Sequence, residues 1–219
     1  MITRLAAALA LSVALVSSAS LAQDAAPAQS VGEFPLSANP DVTQDLDNIW
    51  YLDLSNGKRV AIRLVPEWAP SHVERIKTLT RSGFYDGIIF HRVIDGFMAQ
   101  TGDPTGTGRG GSDLPDLEAE FNIMPHVRGS VAMARAADKN SANSQFFIVF
   151  YPRFSLDRNY TNFGRVIAGM DAVDEIHRGE PPADPTFIVQ ASIASDNKPQ
   201  KFPAPVTAAA APAPQPLSQ

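Results

Sequence analysis

The sequence predicts a mostly β domain over residues 42–196, folded as a closed or nearly closed antiparallel barrel with two helices. Two observations predict it: short β-rich runs recur along this region, and only two stretches show a helical pattern. Spacing alone also fits a two-sheet sandwich with two helices, so that alternative stays open at this point. The strand candidates are 50–54, 59–65, 88–93, 129–134, 145–151, 163–168 and 187–194.

The first two strand candidates form a predicted hairpin. Trp50, Leu52 and Leu54 alternate with more polar residues, which is the period-two pattern of a strand with one buried face. Asn56-Gly57 follows, and this pair is a strong hairpin signal because both positions of a two-residue turn need a positive φ.

Two stretches have helical character. Residues 70–82 contain an S-x-x-E capping pattern at Ser71 and Glu74. Their apolar residues recur every third position, at Val73, Ile76 and Leu79. Residues 171–178 begin with an acidic residue and are followed by Gly179, which predicts a second, short helix.

Residues 1–22 have the pattern of a cleavable signal peptide. Arg4 precedes an apolar run over 5–16, which has the length of a signal h-region and is too short for a bilayer span of ~20 residues. Residues 20–22 (Ser-Leu-Ala) form a small-x-small cleavage site before Gln23, and a second candidate site lies near Ala26 or Ala28. We therefore expect a periplasmic or secreted chain with no stable membrane insertion after cleavage. An uncleaved anchor and a cytosolic N-terminus are the alternatives.

Both flanks of the domain differ from it in composition. Residues 23–41 are rich in Ala, Pro, Ser and Gln, and we expect a flexible lead-in. Residues 197–219 are rich in Pro and Ala and bury too little surface to offset their chain entropy, which predicts a disordered tail. The tail is either a spacer or a docking segment.

Composition and spacing exclude several classes of function. The net charge of −5 does not favour nucleic acid, and a chain without cysteine has no disulfide or thiolate chemistry. The four histidines lack the spacing of metal ligands, and no G-x-S-x-G elbow indicates a hydrolase. Residues 106–111 match G-x-G-x-x-G, but Pro115 and its polar neighbours do not open the helix that a dinucleotide site needs. We expect neither metal nor cofactor, and nothing indicates more than a monomer.

Residues 90–111 combine polar and large apolar groups in one stretch. Strand alternation places Phe90, Arg92 and Ile94 on one face. A cation among apolar groups needs a partner or a function, and this stretch alone fits a surface arginine as well as a functional one. A second stretch, 131–148, leads from a polar loop of small residues into an amide and two aromatic side chains.

Together these stretches resemble the cyclophilins. FHRVIDGFMAQTGDPTGTGRGG (90–111) is similar to the family's central signature, and MARAADKNSANSQFFI (133–148) to its second signature in the bacterial form. LDRNYTNFGRVIAGMDAVDEI (156–176) is similar to the third region, and the resemblance covers about residues 48–195. It implies an eight-stranded antiparallel barrel capped by two helices. It also implies a peptidyl-prolyl cis-trans isomerase that needs no cofactor and assists the folding of exported polypeptides.

The resemblance assigns roles to individual residues. The catalytic arginine of the family corresponds to Arg92. The hydrophobic proline pocket corresponds to Phe97, Met98, Phe147 and Leu156. The groups that hold the substrate backbone correspond to Gln100, Gln145 and the main chain of Arg135. The remaining substrate-binding positions are His91, Ala134 and Tyr160.

Two positions depart from many eukaryotic members of the family. Ser155 stands where those members have a tryptophan that contributes to cyclosporin binding, and Tyr160 stands where they have a histidine. We therefore expect weak cyclosporin binding with isomerase activity retained.

The implied ligands are proline-containing peptides and unfolded proteins. A proline-binding holdase or chaperone module with little catalysis would use the same pocket, and it is the alternative function. Arg92 together with Gln100 and Phe147 favours the enzyme.

Overall fold

The structure is a computed structural model that describes residues 34–204. The predicted signal peptide, residues 1–22, lies outside this range, as do most of the predicted lead-in and the last part of the predicted tail.

Eight strands and two α-helices make up the regular structure of residues 34–204. The strands are β1 (Ile49–Leu54), β2 (Arg59–Leu64), β3 (Arg92–Ile94), β4 (Met98–Thr101), β5 (Ser130–Met133), β6 (Phe146–Val149), β7 (Asn162–Ala168) and β8 (Ile188–Ile193). The helices are α1 (Pro70–Arg81) and α2 (Met170–Asp174). Neither helix of this part of the chain has the length and apolarity needed to cross a bilayer.

All eight strands belong to one antiparallel sheet, in the order β3-β4-β6-β5-β7-β2-β1-β8. The sheet curls until its two edges meet near Ile89 and Phe187, which form a single bridge. The amide of Phe90 donates to the carbonyl of Thr186 at 2.8 Å and closes the seam further. The predicted mostly β barrel of eight strands with two helices is therefore confirmed, although its closure is partial, and the sandwich alternative is wrong.

The barrel interior is filled by side chains that alternate along each strand. Trp50 and Phe146 are fully buried with ring centroids 4.8 Å apart, and Tyr85 packs edge-on against Phe146 at 5.7 Å. Helix α1 adds its predicted apolar face to the same core, at Val73, Ile76 and Leu79. Burying one such side chain contributes roughly 1.5–3 kcal/mol, so this single core accounts for much of the stability of the barrel.

The β1–β2 hairpin is confirmed, but its turn differs from the predicted one. Leu54 accepts from the amide of Gly57 at 2.9 Å, and Leu54 donates to the carbonyl of Lys58 at 2.8 Å. Only Gly57 of the Asn56-Gly57 pair has a positive φ, of 81°. This is the pattern of a three-residue loop with a left-handed residue at its end, and not of a two-residue turn.

Helix α1 agrees with its predicted range, but its first turn is capped differently. Ala69 occupies the N-cap position, and no side-chain cap forms from Ser71 and Glu74. The carboxylate of Glu120 instead accepts from the amides of Ser71 and His72, both at 3.1 Å. A carboxylate from a distant loop thus satisfies the free amides and complements the helix dipole.

Helix α2 is shorter than predicted, ending at Asp174 rather than near residue 178. The guanidinium of Arg178 donates to the carbonyl of Asp174 at 2.9 Å and also to that of Ile176. These carbonyls therefore bond a side chain instead of amides one turn further on. Val173 and Ile176 are both buried.

The N-terminal part of the described chain is attached to the barrel. Arg63 is 3% exposed and donates to the carbonyls of Asn39 at 3.1 Å, Gln44 at 2.9 Å and Asp45 at 2.9 Å. One buried guanidinium therefore fixes the backbone before β1 at several points.

The C-terminal part of the described chain is attached at a second charged group. Asp53 of β1 is 1% exposed and accepts from Arg59 at 2.6 and 3.0 Å and from the amide of Lys201 at 2.7 Å. Residues just after β8 therefore return to the β1–β2 hairpin.

Candidate active site

The candidate catalytic arginine lies at the edge of the sheet. Arg92 begins β3 and pairs across the strands with Gln100 of β4. Its guanidinium donates through Nε to Glu180 Oε2 at 2.7 Å and through Nη1 to Gln100 Oε1 at 3.4 Å. The side chain is 41% exposed, so it stands at an open surface and not in the core.

A relay of amides continues from Arg92 across the sheet. Gln100 donates through Nε2 to Gln145 Oε1 at 2.9 Å. Gln145 in turn donates to the carbonyls of Gly108 at 3.1 Å and Gly110 at 2.8 Å. The relay fixes the orientation of both amides and ties them to the glycine-rich loop.

Asp103 organises the glycine-rich loop over 104–111. It is 1% exposed and accepts from the amides of Thr105 at 2.7 Å and Gly108 at 2.6 Å. Burial raises the pKa of Asp103, but hydrogen bonds from Thr105, Gly110 and Gly108 outweigh it and bring the pKa down to about 2. A Cβ on Gly110 would collide with Asp103 Oδ1, so this position requires glycine. At Gly110 the glycine therefore allows the backbone to pass close to a buried carboxylate.

The predicted proline-pocket residues lie together on the sheet face opposite the barrel core. Because side chains alternate along a strand, β6 sends Phe146 and Ile148 into the core and Phe147 and Val149 to the other face. Met98 and Phe147 are buried in this second cluster. Partly buried side chains pack around them, namely Ile94, Phe97, Ala134, Leu156 and Tyr160.

The strand face predicted for Arg92 is partly wrong. Phe90 belongs to the barrel core and Ile94 to the pocket cluster. The reason is that β3 begins only at Arg92, so the alternation does not extend back to Phe90.

His126 packs against the pocket residue Phe147, and the sequence did not indicate this role. Its ring lies parallel to that of Phe147, with centroids 6.3 Å apart and an interplanar angle of 23°. Asp157 Oδ1 is 2.9 Å from His126 Nδ1 and accepts from the His126 amide at 2.8 Å. Burial lowers the pKa of His126, although Asp157 acts in the opposite direction. The pair fixes the turn that carries Leu156, directly before Asp157 in the chain.

Two arginines stack on aromatic walls of the pocket. The guanidinium of Arg135 lies 4.7 Å from the ring centroid of Tyr160, and that of Arg153 lies 5.0 Å from the ring of Phe97. Ser155 is exposed in the adjoining short turn. Arg153, which stacks on Phe97, lies two residues before Ser155 in the chain. Weak cyclosporin binding stays a prediction.

His91 is the predicted site residue that lies apart from the others. It is 4% exposed, and neither ring nitrogen has a hydrogen-bond partner among residues 34–204. Burial lowers its pKa, with Asp103 raising it and Arg92 lowering it further. His91 is absent from the pocket cluster and lies behind Gly108, so its substrate contact stays a prediction.

A polar cavity of about 540 Å³ adjoins the pocket. Its lining includes Gln100, Gln145, Arg109, Ala134 and Arg135. Ala134 belongs both to this lining and to the apolar pocket cluster, and Gln100 of the lining accepts from Arg92. The polar cavity therefore adjoins the apolar pocket and the arginine, an arrangement that suits an extended peptide with one apolar ring.

Glu180 is the second functional candidate that sequence reasoning missed. It lies 88 positions from Arg92 in the chain, and an acidic residue in a loop carries no local signal of its partner. Among residues 34–204 no group of three His, Asp or Glu side chains could hold a metal ion.

Comparison with known proteins gives a consistent result. The family model "Cyclophilin type peptidyl-prolyl cis-trans isomerase/CLD" matches residues 51–195. A probable peptidyl-prolyl cis-trans isomerase of Brucella suis is 47% identical over 170 residues, covering 70% of this chain and 86% of the relative. Peptidyl-prolyl cis-trans isomerase B of Bacillus subtilis is 40% identical over 131 residues, covering 59% of this chain and 91% of the relative.

Solved structures show the same similarity. The crystal structure of a cyclophilin from Hirschia baltica has a TM-score of 0.65 and 33% identity, covering 71% of this chain and 77% of that one. A Cryptosporidium parvum cyclophilin-type isomerase, crystallised in the presence of the dipeptide Ala-Pro, has a TM-score of 0.62 and 29% identity, covering 66% of this chain and 98% of that one.

Proposed function

Because this chain belongs to the cyclophilin-type peptidyl-prolyl cis-trans isomerases and catalyses rotation about X-Pro bonds, we propose that Arg92 is its catalytic group. One observation carries the proposal: a guanidinium stands beside an apolar pocket on one sheet face. Arg92 pairs with Gln100, and Gln100 pairs with Phe147 on the next strand, so the three side chains are close neighbours.

The reaction needs stabilisation of a twisted amide and no bond cleavage. Resonance gives the peptide bond a rotation barrier of ~18–20 kcal/mol, whereas cis and trans X-Pro forms differ by only ~0.5–1 kcal/mol. At the twisted geometry the proline nitrogen becomes pyramidal and carries a lone pair. A site that binds this geometry better than either planar form accelerates the exchange.

Arg92 supplies the group that favours the twisted state. Its guanidinium is always charged and can donate to the proline nitrogen, which withdraws the lone pair from resonance. Beside a partly dry apolar pocket such a hydrogen bond is stronger than in water. No acid or base is required, so His91 has no proton to transfer.

The pocket holds the pyrrolidine ring while the other side of the bond rotates. Met98 and Phe147 form the buried floor, and Phe97, Leu156 and Tyr160 form the walls. The ring of Tyr160 meets that of Phe147 edge-on, with centroids 5.8 Å apart. A rigid pocket of this kind confines the motion to one side of the amide.

Gln145 and the segment around Arg135 bind the substrate backbone in this proposal. Gln145 is oriented by three hydrogen bonds, two to glycine carbonyls and one from Gln100. The ligands are proline-containing peptides and unfolded chains, and the relative crystallised in the presence of Ala-Pro supports this class. In this proposal recognition is broad, because the apolar pocket selects for little beyond the proline ring.

The test of this function is a proline-isomerisation assay on the wild type and Arg92→Ala. We expect a loss of roughly 10²–10³-fold in kcat/KM, because one such donor supplies ~2.7–4 kcal/mol of transition-state stabilisation. The matched control is Arg81→Ala, which should keep full activity. Arg81 is an exposed arginine of α1 that forms ion pairs with Asp47 and Asp196. Equal rates for the wild type and Arg92→Ala would refute the assignment.

We also propose that the chain is exported and assists the folding of exported polypeptides in the periplasm or outside the cell. The support is the signal-peptide pattern of residues 1–22. Expression of the full chain in a bacterium, followed by fractionation and mass spectrometry, should give a periplasmic or secreted product that begins at Gln23. A product that keeps Met1 and stays in the cytosol would contradict export.

A further inference from the structure

The loop between α2 and β8 is anchored to the strand that carries Arg92. The amide of Val93 donates to the carbonyl of Gly179 at 2.8 Å, and the amide of Gly179 donates to the carbonyl of Val93 at 2.9 Å. Gly179 has a φ of 143° and passes so close to Pro182 that a Cβ would lie 2.6 Å from the Pro182 Cα. These two backbone bonds place residue 180 directly beside the side chain of Arg92.

The carboxylate of Glu180 binds the guanidinium of Arg92 at its Nε–H group. It accepts from Arg92 Nε at 2.7 Å, while Gln100 accepts from Nη1 at 3.4 Å. Two acceptors on different atoms define both the position and the plane of the group. Neither of these two acceptors uses Nη2, so the structure leaves this nitrogen to donate to a ligand.

The ion pair is too exposed to serve mainly for stability. The side chains of Arg92 and Glu180 are 41% and 52% exposed, and pairs of this kind contribute little to folding. Catalysis by Arg92 depends far more on orientation, because a donor displaced by about 1 Å from the reacting nitrogen loses much of its effect. The geometry therefore fits a function in orienting Arg92.

We propose that Glu180 is a positioning residue for isomerisation and acts by holding the Arg92 guanidinium toward the substrate proline. The inference rests on the catalytic role of Arg92 stated above. Glu180 itself touches no substrate. Removing it leaves the proline pocket intact, and it changes turnover and not peptide affinity.

The experiment compares Glu180→Ala and Glu180→Gln with Asp184→Ala. Asp184 is the matched control, because it belongs to the same loop, is 92% exposed, and approaches His177 instead of Arg92. We expect Glu180→Ala to lower kcat about three- to tenfold, the effect of one hydrogen bond lost at a solvent-exposed position, with the Kd for a proline peptide unchanged. The kcat of Glu180→Gln should lie between those of Glu180→Ala and the wild type, and the kcat of Asp184→Ala should equal that of the wild type. Melting temperatures of all three should stay at the wild-type value.

A double-mutant comparison separates positioning from a general structural effect. At enzyme concentrations high enough to measure residual activity, adding Glu180→Ala to Arg92→Ala should cause no further loss, because nothing remains to position. The NMR signal of Arg92 Nε–H should shift in Glu180→Ala and Glu180→Gln but not in Asp184→Ala.

Wild-type turnover in Glu180→Ala, a loss of equal size in the Arg92→Ala background, or an unmoved Nε–H signal would overturn the inference. Full activity of Arg92→Ala would instead refute the role of Arg92 itself. The two failures are therefore distinguishable within one set of variants.

Discussion

Three histidines are buried in the domain with incomplete hydrogen bonding. In His72 and His126, Nδ1 is hydrogen-bonded to a carboxylate and Nε2 has no partner among residues 34–204. In His91, neither ring nitrogen has a partner in this part of the chain. Burial lowers the pKa of all three, although the carboxylates beside them act in the opposite direction. The fold therefore holds these side chains in the neutral form.

This arrangement predicts a loss of stability on mild acidification. In the unfolded chain these histidines take up protons near pH 6.5, whereas the folded chain resists protonation to lower pH. The unfolded state therefore binds more protons, and the free energy of unfolding falls as the pH drops below about 6.5. The pKa values of Asp47 and Asp103, about 2, place their contribution at much lower pH. Thermal melts between pH 7.5 and pH 5 at constant ionic strength should show a falling Tm.

Single histidine substitutions identify which side chains cause the pH dependence of Tm. His126→Gln should make the pH dependence of Tm shallower, whatever its effect on Tm at neutral pH. His177→Gln, at an exposed position, should leave the slope unchanged. A Tm that stays constant across this pH range would argue against the buried histidines as the source.

At the scale of single residues, the sequence predicts what is local and misses what is distant. Arg92, Gln100 and Phe147 could be proposed because they lie in long motifs. Glu180 and His126 could not, because their function depends on which residue the fold brings beside them. In the sequence alone, an acidic residue in a loop and a histidine before a strand look like many others, because nothing local identifies their partners.

At the scale of elements, the glycine-rich loop over 104–111 leaves no room for a side chain at Gly110. Gly110→Ala would push its methyl group into Asp103 and Thr105 and move the carbonyl that Gln145 binds. We expect kcat/KM to fall about three- to tenfold, the effect of one lost hydrogen bond in the relay. An isomerisation assay on the purified variant measures it.

Gly57→Ala is the control for this change. Gly57 also has a positive φ, but a Cβ there meets no atom within 4 Å, and the hairpin turn lies outside the site. Strain at a positive φ should lower its Tm while kcat/KM stays at the wild-type value. Equal activity losses in the two variants would show that backbone strain, and not the loop contact, is the cause.

Element boundaries were predicted less well than element types. Strand β4 was missed as a separate strand, because the reversal at Gly96 falls inside a stretch without clear alternation. Helix α2 was predicted too long, because a side chain, Arg178, takes the carbonyls that would continue it. The long helix α1 and the β1–β2 hairpin have strong periodic signals, and both were predicted correctly in position.

At the scale of the whole molecule, the first residues after the proposed domain contribute to its stability. We propose residues 42–196 as the isomerase domain, yet residues beyond it are bound to it. The backbone amide of Lys201 donates to the buried carboxylate of Asp53, and the side-chain amide of Gln190 donates to the carbonyl of Pro199 at 3.0 Å. A chain that ends at Ala204 should keep the wild-type Tm. A chain that ends at Asn197 should melt roughly 2–5 °C lower, because a buried carboxylate loses a donor.

Differential scanning calorimetry of the two truncated chains measures this difference. Both should retain isomerase activity, since neither truncation reaches the pocket. Identical melting temperatures for the two would show that residues 198–204 add nothing to the fold.

The closure of the barrel could not be predicted from spacing. It depends on the bridge between Ile89 and Phe187, which lie far apart in the chain and have no pattern that pairs them. A sandwich and a barrel built from the same strands differ only in such contacts. The resemblance to a known family resolved what periodicity left open.

The attachment of both flanks to the same hairpin has a mechanical consequence. The segment before β1 is bound by Arg63 of β2, and the segment after β8 is bound by Asp53 of β1. Within residues 34–204, a pull on the first segment therefore reaches Trp68, which donates to the carbonyl of Pro35 at 2.7 Å, and then the β1–β2 hairpin. A pull on the last segment reaches the same hairpin at Asp53. In the sheet order that hairpin is separated from β3 and β4 by β8 on one side and three strands on the other. The chain can be immobilised through either end without pulling directly on the strands that carry Arg92 and Gln100.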